Sequence, residues 1–475
     1  MLFSTISCVS IIMGNLVHLL AFLPVLLVFA STEPEDIVII VLSQRNGYSA
    51  GQAELLRQNI TEQAYDLQKN APNFLLTHQR IGEREMKGAW AIYPLIPVLH
   101  SQHANAQWYL FCSENTGVNL SRLMRVLSRF NSSEALWIGH ALHDTGPTII
   151  HHFADPLTRL SYPNIASGFG ISRALLETLK IRVRSGVPSD NDFIIDASYE
   201  FSNFVHNNGK GPQLIHLSEF CVDSAETCAT YPKKFPSCGN PVSIGNIFFA
   251  VKTYNVNHSK RMPLLLKTWL RHTVHYALFS NEEDEKLENV IVVPHTTEGH
   301  CAKTYGLLQH AEKIMKKKKI EWLVVTDDDT ILSVSRLSKM LSCYDAKQPM
   351  AIGERYGFRA TEETGYEYLT GGAGLAMSAP LLTKILTSNS CNCPMMSAPD
   401  DMFLFGICLI RLGLRPSTSP LFHQARPQDY AEGFLASQEP VSFHKFWMND
   451  PVRVYRDWFK EADDELTPVQ HHPEL

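Results

Sequence analysis

Apolar runs of strand length alternate with longer segments of helical character along most of the chain. The run at residues 37–42 predicts a buried strand, and residues 53–67 predict the helix that follows it. Much later, residues 247–251 predict a second such strand, and residues 264–270 predict the beginning of its helix. This alternation indicates an α/β fold with a largely parallel sheet.

The same pattern occurs twice, with identical residues at corresponding positions. Residues 108–127 align without gaps with residues 322–341, and the identical positions in the first segment are Trp108, Thr116, Ser121, Arg122, Leu123 and Leu127. The repeat predicts two copies of one domain. We place them at residues 35–235 and 241–460, with a polar tail at 461–475.

The alignment continues beyond these segments with one adjustment. Gly168 and Gly170 match Gly372 and Gly374 when the two copies are aligned over their glycine-rich segments. After a shift of two residues, Ser172 with Leu175 and Leu176 also matches Ser378 with Leu381 and Leu382. The ordered set of matches therefore supports a duplication of the whole domain.

The length and composition agree with this organisation. A chain of 475 residues is too long for one ordinary core and suits two or three domains. The apolar fraction of 45% and the charged fraction of 19% are typical of a folded globular protein. The net charge of −6, without a basic stripe interleaved with aromatic residues, argues against a nucleic-acid partner.

Both ends of the chain resemble targeting segments. Residues 9–30 carry no charge, and small and acidic residues follow them, which predicts a signal peptide over residues 1–31. The protein contacts a membrane only if this segment stays uncleaved, since it is long enough to span one. The last four residues, His472 to Leu475, resemble a lumenal retrieval signal with Pro473 in place of aspartate. We therefore expect residence in the lumen of the endoplasmic reticulum.

Cysteines and sequons agree with an oxidising, lumenal compartment. Apart from Cys8 the chain has nine cysteines, which predicts disulfides and at least one free thiol. We expect that thiol to be Cys112, which lies within an apolar strand. Cys391 and Cys393 lack a second pair at zinc spacing, so they are also predicted to form disulfides. Four glycosylation sequons occur, at Asn59, Asn119, Asn131 and Asn257.

Three successive carboxylates in the second copy are the strongest chemical signal. The apolar strand from Trp322 to Val325 leads into Asp327, Asp328 and Asp329. In open α/β sheets, ligands bind beyond the carboxyl ends of the strands. Adjacent carboxylates repel one another unless a cation joins them, and oxygen ligands suit Mg²⁺ or Mn²⁺. The triad thus predicts a metal site able to hold a diphosphate, with a solvated acidic turn as the alternative.

Further candidate residues follow the triad along the chain. Gly371, Gly372 and Gly374 allow backbone to approach a sugar or phosphate closely, or they form a tight strand-to-helix turn. Asp400 or Asp401 offers a general base for an acceptor hydroxyl, or a helix cap. His423 follows the next apolar stretch and is a candidate to complete the metal shell, although single histidines are usually structural.

The first copy lacks this set of residues. Ser113, Glu114 and Asn115 stand where the triad stands in the second copy, so one carboxylate remains of three. His216 is a candidate counterpart of His423. The first copy is therefore predicted to be non-catalytic.

These motifs, taken in order, resemble those of the Fringe-like β1,3-glycosyltransferases. The shared segments are Asp-Asp-Asp-Thr at 327–330, Tyr-x-x-Gly-Gly-Ala-Gly at 368–374, Pro-Asp-Asp at 399–401 and Leu-Phe-His at 421–423. The segment 261–269 also resembles a family motif whose arginine contacts the donor nucleotide, which implies that role for Arg261. One departure is Phe405 before Gly406, which lengthens the usual aspartate-to-glycine spacing by one residue.

The resemblance implies two tandem GT-A-like domains and an inverting transferase. Asp329 and His423 are expected to hold Mn²⁺ or Mg²⁺, with Asp327 and Asp328 on the metal or the donor and Asp401 or Asp400 as base. The duplicated organisation, with segments 419–427 and 440–445, resembles the branch of the family that resides in the endoplasmic reticulum. That branch implies glucose transfer from UDP-glucose to O-linked fucose on secreted or cell-surface proteins with thrombospondin type-1 repeats.

Two other functions remain open on the sequence alone. A Golgi Fringe-like enzyme that transfers N-acetylglucosamine or galactose would carry the same motifs, because these sugars differ by small pocket contacts. A lumenal sugar-binding or chaperone-like protein without activity is the second alternative. The complete motif set of the second copy argues against it.

Overall fold

The computed structural model of the chain describes residues 31–79, 88–154, 160–184, 192–235 and 238–466. The predicted signal segment before residue 31 and the retrieval-like C-terminus lie outside these residues. Within the described ranges, no helix combines the length and the apolar character needed to cross a membrane.

The first half of the chain contains eleven strands and five α-helices among its described residues. The strands are β1 Ile37–Leu42, β2 Asn73–Leu76, β3 Trp108–Ser113, β4 Thr116–Val118, β5 Trp137–Gly139, β6 Ala141–Leu142, β7 Tyr162–Pro163, β8 Phe169–Ser172, β9 Phe193–Ile194, β10 Ile215–His216 and β11 Thr230–Pro232. The helices are α1 Gly47–Asp66, α2 Ile96–Gln102, α3 Leu120–Leu127, α4 Arg173–Arg184 and α5 Ala197–His206.

The second half contains a further eleven strands and nine α-helices in the described ranges. The strands are β12 Ile247–Lys252, β13 His275–Ser280, β14 Val290–Val292, β15 Trp322–Asp327, β16 Thr330–Leu332, β17 Ala351–Gly353, β18 Arg355–Phe358, β19 Tyr366–Leu369, β20 Leu375–Ser378, β21 Ser417–Thr418 and β22 Ser442–His444. The helices are α6 Asn255–Lys267, α7 Cys301–Lys318, α8 Val334–Leu341, α9 Ala379–Thr387, α10 Asp400–Met402, α11 Cys408–Arg411, α12 Glu432–Leu435, α13 Pro451–Trp458 and α14 Lys460–Asp464.

The two halves have the same sheet topology. The order is β10-β5-β8-β3-β1-β2 in the first sheet and β21-β17-β20-β15-β12-β13 in the second, which adds β14 at its edge. In each sheet one strand, β8 or β20, runs antiparallel to both neighbours, and the other pairs are parallel. The predicted α/β fold with two copies of one domain is therefore confirmed.

Strand registers correct one detail of the predicted alignment. Ser172 pairs with Trp108, and Ser378 pairs with Trp322, so the two serines occupy the same position. Gly168 therefore corresponds to Gly374, and their φ angles of 75° and 77° agree. The predicted match of Gly168 to Gly372 was wrong by two residues. The prediction placed the two-residue shift between the copies after the glycine-rich segments, whereas the strand registers place it before them.

The predicted elements were closest to the structure where apolar runs are continuous. The strand predicted at 37–42 has these bounds, and that at 247–251 extends by one residue. The prediction that a helix begins at Leu264 was wrong, because α6 spans Asn255–Lys267. Its first turns are polar, and Pro263 lies inside the helix, so the sequence shows little helical signal there.

The two copies contact each other directly. Strand β9 of the first half pairs with β18 of the second, with Ile194 opposite Gly357. The side-chain amide of Gln44 donates to the Thr418 carbonyl at 2.9 Å and accepts from the Thr418 amide at 2.7 Å. The Tyr48 ring packs 5.5 Å from that of Tyr344.

Disulfides brace the second copy more than the first. Four pairs are present in the described residues: Cys221–Cys228, Cys238–Cys343, Cys301–Cys393 and Cys391–Cys408. Within those residues, the free cysteine is Cys112, which is fully buried in β3. The predictions for Cys112, Cys391 and Cys393 are confirmed. The last two bonds tie the segment before Asp400 to α7 and α11.

Candidate active site

A lysine joins the first aspartate of the triad to the later aspartate pair. Asp327 is the last residue of β15 and pairs in register with Lys252, the last residue of β12. The Lys252 Nζ lies 3.0 Å from Asp327 Oδ1 and 2.9 Å from Asp400 Oδ2. Burial alone would lower the pKa of this lysine, but the two carboxylates raise it overall. Lys252 was not predicted from the sequence, because no local pattern distinguishes one lysine at a strand end.

The middle aspartate faces protein groups. Asp328 is 4% exposed and accepts hydrogen bonds from Thr253 Oγ1 at 2.8 Å and Asn257 Nδ2 at 2.9 Å. It also accepts a hydrogen bond from Arg261, whose Nη1 lies 3.1 Å from Asp329 Oδ2. Burial raises the pKa of Asp328, opposed by the Arg261 charge. The structure thus places Asp328 where it holds Arg261 beside the site.

Three side chains come together in a geometry suited to a metal ion. Ligand atoms of Asp327, Asp329 and His444 lie within 4.8 Å of one another. Two carboxylates and one imidazole form a donor set that Mn²⁺ accepts, so these residues fit the predicted divalent ion. Burial alone would raise the pKa of Asp329 and lower that of His444. Their mutual hydrogen bond of 3.1 Å, with the opposite charges, reverses both shifts.

The histidine of this group differs from the predicted one. His423 is 1% exposed, and its Nδ1 lies 3.1 Å from the Ser442 carbonyl. Its ring packs among Tyr430, Phe434 and Phe443, and burial lowers its pKa to about 4. The structure does not bring His423 into the metal cluster, because its side chain turns into this aromatic cluster. His444, from the neighbouring β22, takes the place beside the triad.

Gln424 connects His444 to the glycine-rich loop. Its backbone carbonyl accepts from His444 Nδ1 at 3.0 Å, which leaves Nε2 facing Asp329. Its side-chain oxygen accepts from the Ala373 amide at 2.7 Å and from the hydroxyl of Thr370. The backbone amide of Gln424 donates to the Glu354 carboxyl group. Such outer partners fix the orientation of a metal-ligating histidine, so Gln424 is a positioning residue for His444.

The predicted glycines have distinct roles in this arrangement. A Cβ atom at Gly372 would lie 2.6 Å from the His444 ring and 2.7 Å from Gln424 Nε2, so only glycine lets these side chains approach. Gly374 has a φ of +77°, which a side chain would strain. Gly371 is different, since a Cβ there would lie at ordinary distance, 3.9 Å, from the Asp401 side chain. It borders the open part of the site.

The two aspartates at 400 and 401 have different environments. Asp400 is buried and accepts hydrogen bonds from Lys252 at 2.9 Å and from the Thr304 hydroxyl. Burial would raise its pKa, but Lys252 and these hydrogen bonds lower it. Asp401 accepts a hydrogen bond from the Met402 amide at 2.7 Å. Burial, with the adjacent Asp400 charge, raises the pKa of Asp401 to about 6. Of the two, Asp401 has the properties of a general base.

The unusual spacing after these aspartates has a structural explanation. The residues 403–407 form a π-helical turn between α10 and α11. A π turn accommodates one extra residue within a helix and occurs frequently at functional sites. The longer spacing before Gly406 is absorbed in this turn, where a Cβ at Gly406 would lie 2.7 Å from the Tyr368 Cβ. Asp400, in α10 directly before this turn, lies beside Lys252.

The first copy does not reproduce this chemistry at the same positions. Leu42 pairs in register with Ser113 where Lys252 pairs with Asp327. Glu114 accepts a hydrogen bond from Ser49 Oγ at 2.6 Å, and Asn115 accepts one from the Tyr48 hydroxyl at 2.9 Å. The suggested counterpart of His423, His216, was also misplaced. In the first sheet His216 pairs with Gly139, and in the second sheet Thr418 pairs with Gly353. His216 therefore corresponds to Thr418.

Comparison with known proteins agrees with these features. The Fringe-like family model matches residues 242–470. A β-1,3-glucosyltransferase of Mus musculus is 40% identical over 439 residues, which cover 91% of this chain and 88% of the mouse protein. The Homo sapiens β-1,3-glucosyltransferase is 39% identical, with 91% and 86% covered. Lunatic fringe of Danio rerio, a β-1,3-N-acetylglucosaminyltransferase, is 30% identical over 38% of this chain and 54% of its own length. The chain therefore belongs to the Fringe-like β-1,3-glycosyltransferase family.

Proposed function

We propose that the chain transfers glucose from UDP-glucose to O-linked fucose on proteins with thrombospondin type-1 repeats. The linkage is β1,3, and the anomeric configuration is inverted. The observation that carries the proposal is the link between the aspartate pair and the cluster of Asp327, Asp329 and His444: Lys252 joins Asp327 to Asp400, the residue directly before Asp401. Similarity over most of the chain to relatives named β-1,3-glucosyltransferase supports the choice of glucose.

The proposed reaction is a single displacement that these side chains support. The acceptor hydroxyl gives its proton to the Asp401 carboxylate, and its oxygen forms a bond to the anomeric carbon of the donor. The bond from that carbon to the diphosphate breaks, and UDP leaves with the electron pair. Asp401 suits this step because its oxygens are less committed to protein groups than those of Asp400, which bind Lys252 and Thr304.

The other charged groups hold the donor end of the site. Asp327, Asp329 and His444 would hold Mn²⁺ (or Mg²⁺), which offsets negative charge on the leaving diphosphate when bound. Arg261 lies against Asp328 and Asp329, at the edge where the nucleotide is expected. Lys252 lies between the Asp327 and Asp400 carboxylates and forms an ion pair with each.

The cellular setting is part of the proposal. A cleaved N-terminal signal, the disulfides and the retrieval-like C-terminus favour action in the lumen of the endoplasmic reticulum on newly made secreted or cell-surface proteins. The four disulfides of the described residues agree with an oxidising compartment.

A donor screen tests the proposal. The purified chain is given UDP-glucose, UDP-galactose or UDP-N-acetylglucosamine, with an O-fucosylated thrombospondin repeat and with Mn²⁺ or a chelator. We expect transfer from UDP-glucose alone, dependent on metal and absent with an unfucosylated repeat. Preference for UDP-N-acetylglucosamine would favour a Fringe-like activity instead. The absence of transfer and of UDP-sugar hydrolysis with every donor would leave a binding protein.

A further inference from the structure

A large cavity lies between the two copies, away from the residues assigned to catalysis. Its volume is about 960 Å³. One wall is the carboxyl edge of the first sheet, with residues 42–48 from the end of β1 onwards and residues 113–115 from the end of β3 onwards. The opposite wall comes from the second copy, including residues 343–345 and 348–350, Arg355 and the segment 413–423. Protein interiors pack densely and contain few voids larger than a water molecule, so a space of this size requires an occupant or solvent.

The position of the cavity is defined by the duplication. Leu42 and Ser113 occupy the register positions of Lys252 and Asp327, of which Asp327 belongs to the metal cluster of the second copy and Lys252 lies beside it. The cavity is therefore the first copy's equivalent of the donor crevice, closed by the second copy. In open α/β sheets this edge is where ligands bind.

The charges that a nucleotide diphosphate needs have been replaced. Leu42 has no charge where Lys252 has one, and Ser113 and Asn115 stand where Asp327 and Asp329 stand. On the opposite wall, Arg355 lies 3.4 Å from Glu367, and Arg415 lies 2.9 Å from the same carboxylate, so Glu367 is paired with both arginines and offsets one of their two charges. Arg45 and Lys233 also line the cavity, but six carboxyl groups line it with these four basic side chains: Glu114, Asp196, Asp345, Glu354, Glu367 and Glu439. This wall chemistry disfavours a polyanion.

The remaining side chains suit a neutral ligand with many hydroxyl groups. Asn115, Glu114 and Gln348 provide amide and carboxyl groups, which accept and donate hydrogen bonds in a plane. Tyr48 and Trp90 add aromatic surface, and the Arg355 guanidinium covers the Trp90 ring at 4.3 Å. Aromatic surface beside a few placed polar groups is what binds the apolar faces and hydroxyls of a pyranose. The volume is at the upper end of the roughly 300–1,000 Å³ of ligand pockets, so it admits more than one sugar ring.

We propose that this cavity is a second binding site, specific for an uncharged saccharide, in which the first copy binds a glycan without reacting with it. The site is separate from the donor site of the second copy. The glycan is either a free oligosaccharide or one attached to a glycoprotein acceptor, and both have the same recognition chemistry. The inference goes beyond the proposed transferase reaction and does not require it.

Binding measurements on the whole chain test the proposal. Saturation-transfer NMR and calorimetry are carried out with glucose, fucose and the glucosyl-β1,3-fucose disaccharide, and separately with a glycosylated thrombospondin repeat. UDP and Mn²⁺ are present in excess to fill the donor site. We expect the disaccharide to bind under these conditions. If the ligand is a glycan attached to a protein, the glycosylated repeat should bind more tightly than the disaccharide; if it is a free oligosaccharide, the repeat should not bind more tightly. Failure of every saccharide to bind with the donor site filled would overturn the proposal.

Variants place the binding in the cavity. Asn115→Ala and Tyr48→Phe each remove a polar group from the wall and break the 2.9 Å hydrogen bond between these side chains. We expect each to weaken saccharide binding by at least about tenfold, as loss of a buried ligand hydrogen bond does. The matched control is Asp329→Ala in the donor site, which should leave this affinity unchanged. Equal weakening by Asp329→Ala would place the sugar in the donor site. If a cavity variant fails to fold, competition by UDP against the disaccharide on the unaltered chain gives the same answer.

Discussion

Replacement of Asp401 by asparagine is the sharpest test of the assignment of the base. The substitution keeps the shape of the side chain and removes the carboxylate that accepts the proton. General-base catalysis contributes on the order of 10²–10⁴-fold, which corresponds to about 3–5 kcal/mol of activation free energy. We therefore expect kcat of Asp401→Asn to fall by this factor. The KM for the donor should change little, because the groups assigned to the nucleotide and metal are untouched.

The pH dependence gives an independent magnitude. Burial and the neighbouring Asp400 charge raise the pKa of Asp401 to about 6. A base must be deprotonated to act, so activity should be present above pH 6 and lost as the pH falls through that value. The ionised fraction would drop from about nine-tenths at pH 7 to about one-tenth at pH 5. The kcat should follow it with an acid limb near pH 6, which Asp401→Asn should abolish.

Asp400→Asn is the matched control. This residue is paired with Lys252 at 2.9 Å and has a lowered pKa, so it is ionised throughout the accessible range. Its loss should lower the thermal stability while the acid limb near pH 6 remains. Turnover assays across pH and thermal unfolding of both variants provide the measurement. The reasoning is refuted if Asp401→Asn keeps kcat within about twofold, or if Asp400→Asn alone abolishes turnover without a change in stability.

Three further predictions concern single side chains of either copy. His444→Ala should weaken Mn²⁺ binding by more than the roughly 10–100-fold that loss of an outer partner costs, while His423→Ala should leave it nearly unchanged. Calorimetry compares the Mn²⁺ affinities of the two variants, and a larger loss for His423→Ala would make His423 the metal ligand. Lys252→Met breaks a buried ion pair and should destabilise the metal-free fold by about 3–5 kcal/mol, measured by chemical unfolding; an unchanged midpoint would contradict the role given to this charge. Glu114→Ala should keep transferase turnover within about twofold because it lies outside the reacting groups, and a steep loss would make the first copy catalytic.

The parts of the structure that the sequence predicted are those with local signals. The strands predicted at 37–42 and 247–251 are continuous apolar runs between polar segments, and their burial follows directly from composition. The triad at the end of β15 is likewise a local motif after a buried strand. Helix α6 was missed in its first turns, because Asn255 and its neighbours are polar and the helix is specified by packing of Met262 and Leu265 against the sheet.

The parts that the sequence did not predict depend on which segments meet in space. His423 and His444 both follow apolar stretches, and neither spacing shows which one turns towards the triad. The choice is made by pairing of β22 with β16, which sets His444 opposite Thr330, one residue after Asp329. Local sequence patterns do not identify Lys252 either, since its role arises from the register between β12 and β15.

The differences between the two copies and the contact between them have one physical cause. Burial of a carboxylate cluster against another domain carries a large desolvation cost unless cations compensate it. In the first copy, Leu42 and Ser113 replace the charged pair formed by Lys252 and Asp327, and the single remaining acid, Glu114, is satisfied by Ser49. That edge can therefore be covered by the second copy. The edge of the second copy keeps its charges, and a sugar nucleotide with its cation offsets them. Loss of the metal triad in the first copy thus permits the interface that encloses the cavity.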